Sequence, residues 1–111
     1  MTQITLRQLR FALAVAETGH FGRAAERCAV TQPALSQQIQ ALEAACGVPL
    51  FDRLSRGTTA TPFGREFLAR AAGIAVETDE LLAFVDDRAG RPARPLRFGL
   101  IPTVAPYLLP E

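Results

Sequence analysis

The sequence predicts a mainly α-helical fold: a winged helix-turn-helix of three helices and a two-stranded wing, followed by one long helix. Apolar residues recur at steps of three and four through three successive segments joined by short links. A β-prone hairpin pattern about a Ser-Arg-Gly turn comes directly after them. Thr61-Pro62 then opens a helical pattern that runs without a break to about Arg88.

The first helix is expected over Thr5 to Thr18, with Leu6, Leu9, Leu13 and Ala16 on one face. Thr5 and Gln8 have the spacing of a capping box, and Gly19 can close the helix in the left-handed conformation. Gly22 to Cys28 reads as a short second helix whose small residues, Ala24, Ala25 and Cys28, admit close approach of another helix. Ala29-Val30 is a link. Thr31 caps a third helix that runs to about Cys46 and stops at Gly47, with Pro33 in the first turn where a missing N–H costs little. Leu35, Ile39 and Leu42 form its buried stripe.

Leu50 to Arg53 reads as a strand, Ser55-Arg56-Gly57 as a turn, and Thr58 to Ala60 as the returning strand. The long helix beginning at Thr61 would measure about 42 Å at 1.5 Å per residue. Phe63, Phe67, Ala71, Ile74, Thr78, Leu81 and Val85 follow steps of four and three, close to a heptad seam. So small a domain cannot cover so long a stripe, which points to a partner helix and a homodimer. Ala89 to Pro95 reads as a hinge, and Leu96 to Ile101 is strand-like. The expected organisation is a winged helix-turn-helix at 1–60, a linker and dimerisation helix at 61–88, a hinge at 89–95, and the first strand and loop of a further, truncated domain at 96–111.

Composition narrows the function classes. Hydrophobic residues make up 49% of the chain, which implies a folded protein. No apolar run reaches the ~20 residues of a membrane span, and the N-terminus has no secretory pattern, so a cytoplasmic location is expected. Net charge is only +1, but residues 1–70 hold eight arginines against five acids, while 71–88 hold Arg88 against Glu77, Asp79, Glu80, Asp86 and Asp87. A phosphate-facing front is compatible with that distribution, and the acidic run reads most simply as a solvated face. Cys28 and Cys46 form no CxxC and read as small buried hydrophobes. His20 is the single histidine, with no carboxylate pair, metal cluster or glycine loop beside it, so no enzyme, cofactor or metal is expected.

A short helix, a tight link and a longer helix with a polar outer face form a unit that fits the major groove. Gln32, Ser36, Gln37 and Gln40 offer uncharged hydrogen-bonding groups on that face, suited to base edges. The alternative for the same pattern is a helical dimer that binds protein or RNA without specific duplex recognition.

The run from Ala14 to Gly64 resembles the DNA-binding signature of LysR-type bacterial transcriptional regulators. TQPALSQQIQALE (31–43), GVPLFDR (47–53) and TPFG (61–64) carry most of the likeness. It extends over essentially the whole chain, because the hinge and LRFGLIPT (96–103) are similar to the start of the family's effector domain. The resemblance implies DNA contact by Thr31, Gln32, Pro33, Ser36 and Gln37. It implies that Arg53 and Arg56 of the wing face phosphate or the minor groove, and that Arg23 faces phosphate. It implies an antiparallel dimer through the long helix, two recognition helices about one DNA turn apart on an imperfect palindrome, a tetramer in the full-length protein, and RNA polymerase as a further partner. The tail is most similar to the peroxide-sensing OxyR branch, which would make Thr103 the threonine of the effector loop. Cys28 and Cys46 do not match that branch's redox cysteines.

The chain also departs from the pattern. The third helix often carries Arg or Lys in this family where Gln38 and Gln40 stand here, and no basic residue lies between Thr31 and Cys46. Phosphate attraction then falls to Arg10, Arg23, Arg53, Arg56 and helix N-termini. At position 22 the family commonly has Ser or Thr, whereas this chain has Gly.

Overall fold

In the computed structural model, residues 3–90 are described, and they form six elements in order: α1 (Leu6–Thr18), α2 (Phe21–Cys28), α3 (Gln32–Cys46), β1 (Phe51–Leu54), β2 (Gly57–Ala60) and α4 (Pro62–Arg88). The expected hinge residues 91–95 and the tail 96–111, Thr103 included, lie outside the described residues.

Helix ends follow the local chemistry of the sequence. The Thr5 hydroxyl accepts the Gln8 N–H at 3.1 Å, and the Gln8 side-chain carbonyl accepts the Thr5 N–H at 3.0 Å, a complete capping box. Gly19 closes α1 at φ 74°, and Gly47 closes α3 at φ 81°. Thr31 caps α3 through the Ala34 N–H at 3.3 Å. The link between α2 and α3 is tighter than its sequence suggests. Ala29 adopts φ 60°, a left-handed conformation that costs a non-glycine residue about 1–2 kcal/mol, and the Val30 N–H reaches back to the Ala25 carbonyl at 3.0 Å. α2 begins at Phe21 rather than Gly22, with His20 at its cap and no side-chain cap bond.

The first structural unit runs to Ala75. α1 contacts α2, α3 and β2, and this changes its burial from the expected single stripe. Phe11, Ala12, Leu13, Ala14 and Val15 are all buried, whereas Ala16 is exposed. A helix covered from several sides has no single wet face in its central turns, so a one-sided pattern underestimates it. α3 keeps the expected stripe: Leu35, Ile39 and Leu42 are at most 1% exposed. β1 and β2 pair antiparallel with Phe51 opposite Ala60, Arg53 opposite Thr58 and Leu54 opposite Gly57, which leaves Ser55-Arg56 as the turn.

Glu43 has an unforeseen task. Its Oε2 accepts the backbone N–H of Leu50 at 2.8 Å and of Phe51 at 3.2 Å, tying α3 to the start of the wing. Leu50 is fully enclosed and Phe51 is 7% exposed, so these N–H groups have little access to water in exchange. Glu43→Ala is expected to destabilise the module by about 1–3 kcal/mol, the cost of leaving buried donors unpaired. Chemical denaturation of the variant checks this, and a loss under half a kcal/mol would remove the clamp from the account.

α4 enters the fold through its first turn. The Thr61 hydroxyl accepts the Gly64 N–H at 2.9 Å and donates to the Pro49 carbonyl at 2.9 Å, while the Thr61 N–H donates to the Leu50 carbonyl at 2.9 Å. Within the first unit, Gly64, Leu68, Ala71 and Ala75 are the buried positions of α4. Ala71, expected on the dimer seam, is 2% exposed and so is already covered within the single chain. The residues on the neighbouring line remain outside: Phe63 is 42% and Ile74 50% exposed, and Phe67 is half-buried with its ring 6.0 Å from that of Phe63.

The second unit begins at Val76. Leu81, Phe84 and Val85 are exposed there and Thr78 is half-buried. The acidic run is not one solvated face. Glu77, Glu80 and Asp87 are exposed, but Asp79 and Asp86, seven residues apart and on one line of the helix, are 6% and 1% exposed. Ala89 and Gly90, the latter at φ 73°, end the helical hydrogen bonding.

Candidate nucleic-acid interface

α3 presents an uncharged polar surface on a rigid support. Gln32, Pro33, Gln37 and Gln40 are exposed, and Ser36 is half-buried. Gln32, Ser36 and Gln40 lie at steps of four and so occupy one line, with Pro33 and Gln37 on the adjacent one. The line spans about 12 Å at 1.5 Å per residue, within the reach of a helix in a major groove. The adjoining side of α3 carries Leu35, Ile39 and Leu42, so the polar groups cannot roll without opening the core. Thr31 is exposed at the cap, its hydroxyl oxygen engaged by Ala34.

Gln38 turns inward: its Oε1 accepts the Gln8 Nε2–H at 3.3 Å, and Gln8 is only 7% exposed. The residue that replaces a common cation therefore links α3 to α1. Beside the helix start, a Cβ at Gly22 would stand 3.3 Å from the Gln32 Oε1. The missing side chain at position 22 gives Gln32 room to lie against α2.

Cations flank the surface rather than occupy it. Arg56 is exposed in the wing turn, and Arg53 lies with its Cζ 3.9 Å over the centre of the Phe21 ring. Arg23 is exposed on α2, in a shallow surface depression shared with Glu17, Glu26 and Arg27. Glu17 is already bound to Arg27 in an ion pair. Arg65, which the sequence reading passed over, is exposed at the start of α4 and donates from Nη1 to the Ala60 carbonyl at 3.2 Å. Arg10, expected among the phosphate-facing cations, is half-buried, so its reach toward a ligand is reduced.

Cys28 and Cys46 are not joined in a disulfide and are half-buried rather than enclosed. Burial, and then the Glu43 carboxylate, push the Cys46 thiol above the ordinary thiol range, which keeps it from being a ready thiolate. Among the described residues no group of His, Cys, Asp and Glu is arranged to hold a metal ion, and no helix is long and apolar enough to cross a membrane.

Residues 6–65 match the model of the family described as bacterial regulatory helix-turn-helix protein, lysR family. The hydrogen peroxide-inducible genes activator of Pectobacterium carotovorum subsp. carotovorum is 41% identical over 108 residues, covering 97% of this chain and 36% of that protein. The chain thus spans about a third of the length of the curated relatives it matches. Among solved structures, the BenM DNA-binding domain in complex with benA site 1 DNA is similar at TM-score 0.72 and 36% identity, over 78% of this chain and 97% of that one. Oxidized OxyR of Corynebacterium glutamicum is similar at TM-score 0.76 and 36% identity, over 79% of this chain and 27% of that one.

Proposed function

This chain belongs to the lysR family of bacterial regulatory helix-turn-helix proteins, and from that premise we propose that it is the DNA-reading part of a transcriptional regulator, binding double-stranded DNA as a homodimer on an imperfect palindrome. One observation carries the reading: Gln32, Ser36, Gln37 and Gln40 form an uncharged hydrogen-bonding face on a helix fixed by a dry core stripe. Glutamine can pair bidentately with adenine, and serine can serve either base type. Thr31 and Pro33 set the helix start against the duplex, while Arg23, Arg53 and Arg56 supply phosphate or minor-groove contact from the flanks. A related DNA-binding domain was solved on its DNA site, which supports duplex DNA as the partner here.

The line of exposed Phe63, Ile74, Leu81 and Val85, with half-buried Phe67 on it and Phe84 beside it, supports α4 as the dimer seam. Pairing two modules makes the second contact effectively intramolecular, and this is how few contacts reach useful affinity. The names of the relatives support a peroxide-responsive role for the whole regulator. In that reading 89–95 is the hinge and 96–111 opens the effector domain, with Thr103 in its loop. A tetramer, contact with RNA polymerase and a cytoplasmic site of action are features of the same full-length regulator.

Selection of bound sequences from random duplex DNA tests the proposal. Inverted half-sites about one helical turn apart are expected. On the selected duplex, Gln37→Ala should relax discrimination at one base pair by about 1–3 kcal/mol, measured by competition with single-base variants. With no cation on the reading face, the salt dependence should be shallow, each phosphate contact contributing about 0.9 to the logarithmic slope. No enrichment at low ionic strength would sink the proposal in favour of a protein- or RNA-binding module.

A further inference from the structure

The wing and the turn between α1 and α2 meet at a single place. Phe51 and Arg53 stand two residues apart on β1 and so share a face. Both rest on Phe21. The Phe51 ring meets it edge-on, with centroids 6.2 Å apart at 78°, and the Arg53 guanidinium carbon lies 3.9 Å over its centre. On β2, the Thr58 N–H donates to the Gly19 carbonyl at 2.9 Å. A Cβ on Gly57 would stand 3.0 Å from that same carbonyl oxygen and 3.4 Å from the His20 Cε1, and Gly57 holds φ 132°. Three consecutive residues, Gly19, His20 and Phe21, therefore receive both strands of the hairpin.

We infer that this Gly19–Phe21 turn is a socket that sets where the wing stands beside α3, and that Phe21 and Arg53 are positioning residues for Arg56. A two-stranded hairpin is marginally stable alone, so its orientation is decided by what it docks on. β1 brings no exposed charge to the socket except Arg53, whose cation sits over the negative face of the Phe21 ring. Arg56 lies in the turn at the free end of this lever, where a small rotation of the hairpin moves it through several ångströms. Arg53 then acts through its stack, and the contact its own charge makes with the duplex depends on that stack as well. The inference rests on the DNA-binding role proposed above.

The test uses the whole chain and a duplex selected by the wild type, with Phe21→Leu, Arg53→Gln, their double variant, Gly57→Ala and Arg56→Gln. Affinity, hydroxyl-radical footprint and thermal melting are measured for each. Phe21→Leu and Arg53→Gln should each weaken binding about tenfold, and the double variant should be little worse than either, because both break one coupling. Each should also lose protection at the flank of the site, as Arg56→Gln does, while protection at the α3 contacts persists. Gly57→Ala removes no cation but forces the wing off its socket, so it should lose the same flank protection, and it decides the matter should Phe21→Leu unfold the module. Losses that multiply to about a hundredfold in the double variant would make Arg53 an independent contact and overturn the inference. So would a lowered melting temperature with the flank footprint intact. Absence of duplex binding by the wild type would overturn the DNA-binding role itself, and this inference with it.

Discussion

Gly64→Ala should destabilise the first unit by about 3 kcal/mol or more, at the upper end of overpacking costs. A Cβ at this position would stand 2.0 Å from the Leu50 carbonyl oxygen and 2.9 Å from its carbon, distances that no side-chain rotation can relieve because both atoms are backbone. The Leu50 carbonyl cannot retreat cheaply either. It accepts the Thr61 N–H at 2.9 Å, and the Leu50 side chain is fully enclosed. Either α4 moves away from the wing and its cap bonds stretch, or Leu50 leaves the core. For a module of this size the loss should lower the melting temperature by roughly 12 °C or more, at about 4–8 °C per kcal/mol. A calorimetric melt of Gly64→Ala within a few degrees of the wild type would show that the helix start is looser than its contacts require.

Leu81→Glu should leave the folded monomer almost unchanged while abolishing useful affinity for a palindrome. Leu81 is 59% exposed, so a polar replacement disturbs little within its own unit. Glu is a good helix former, and its repulsion from exposed Glu77 one turn earlier amounts to only a few tenths of a kcal/mol. In a dimer joined along this line the same substitution would bury a carboxylate against an apolar partner, a far larger penalty. Losing the second module removes the effective-concentration gain of bivalent binding, about 10²–10⁴ in affinity, while binding to an isolated half-site should be unaffected. Sedimentation combined with mobility shifts on one and two half-sites reads both effects. A variant that still sediments as the wild-type dimer with undiminished affinity would exclude this line as the seam.

The two substitutions differ in how visible their basis is in the sequence. The stripe containing Leu81 can be counted from the spacing of apolar residues, because helical periodicity is a local property. Gly64 stands out in the sequence only as part of the TPFG string; the reason for a glycine there is a carbonyl fourteen residues earlier. Glu43 shows the same division. By type and position it is an acid on the third helix, and its clamp on the Leu50 and Phe51 N–H groups depends on a chain reversal that composition does not encode. Ala71 matches the heptad count as well as Ile74 does, yet one is 2% exposed and the other 50%. Neighbouring lines on a helix differ by a fraction of a turn, and which of them faces inward is set by the approach angle of α4.

The sequence by itself determined where the helices start and stop, through Thr5, Thr31 and Thr61 at the caps and Gly19 and Gly47 at the ends. It also determined the dry stripe of α3 and the uncharged glutamine face beside it. These depend on hydrogen bonds and side-chain directions within a few residues of one another. Only the tertiary structure decided that Arg53 stacks on Phe21, that Thr58 is held by Gly19, that Gln38 turns inward to Gln8, and that Arg10 is half-buried. The first three join residues distant along the chain, and such contacts exist only once the core has fixed how the elements approach.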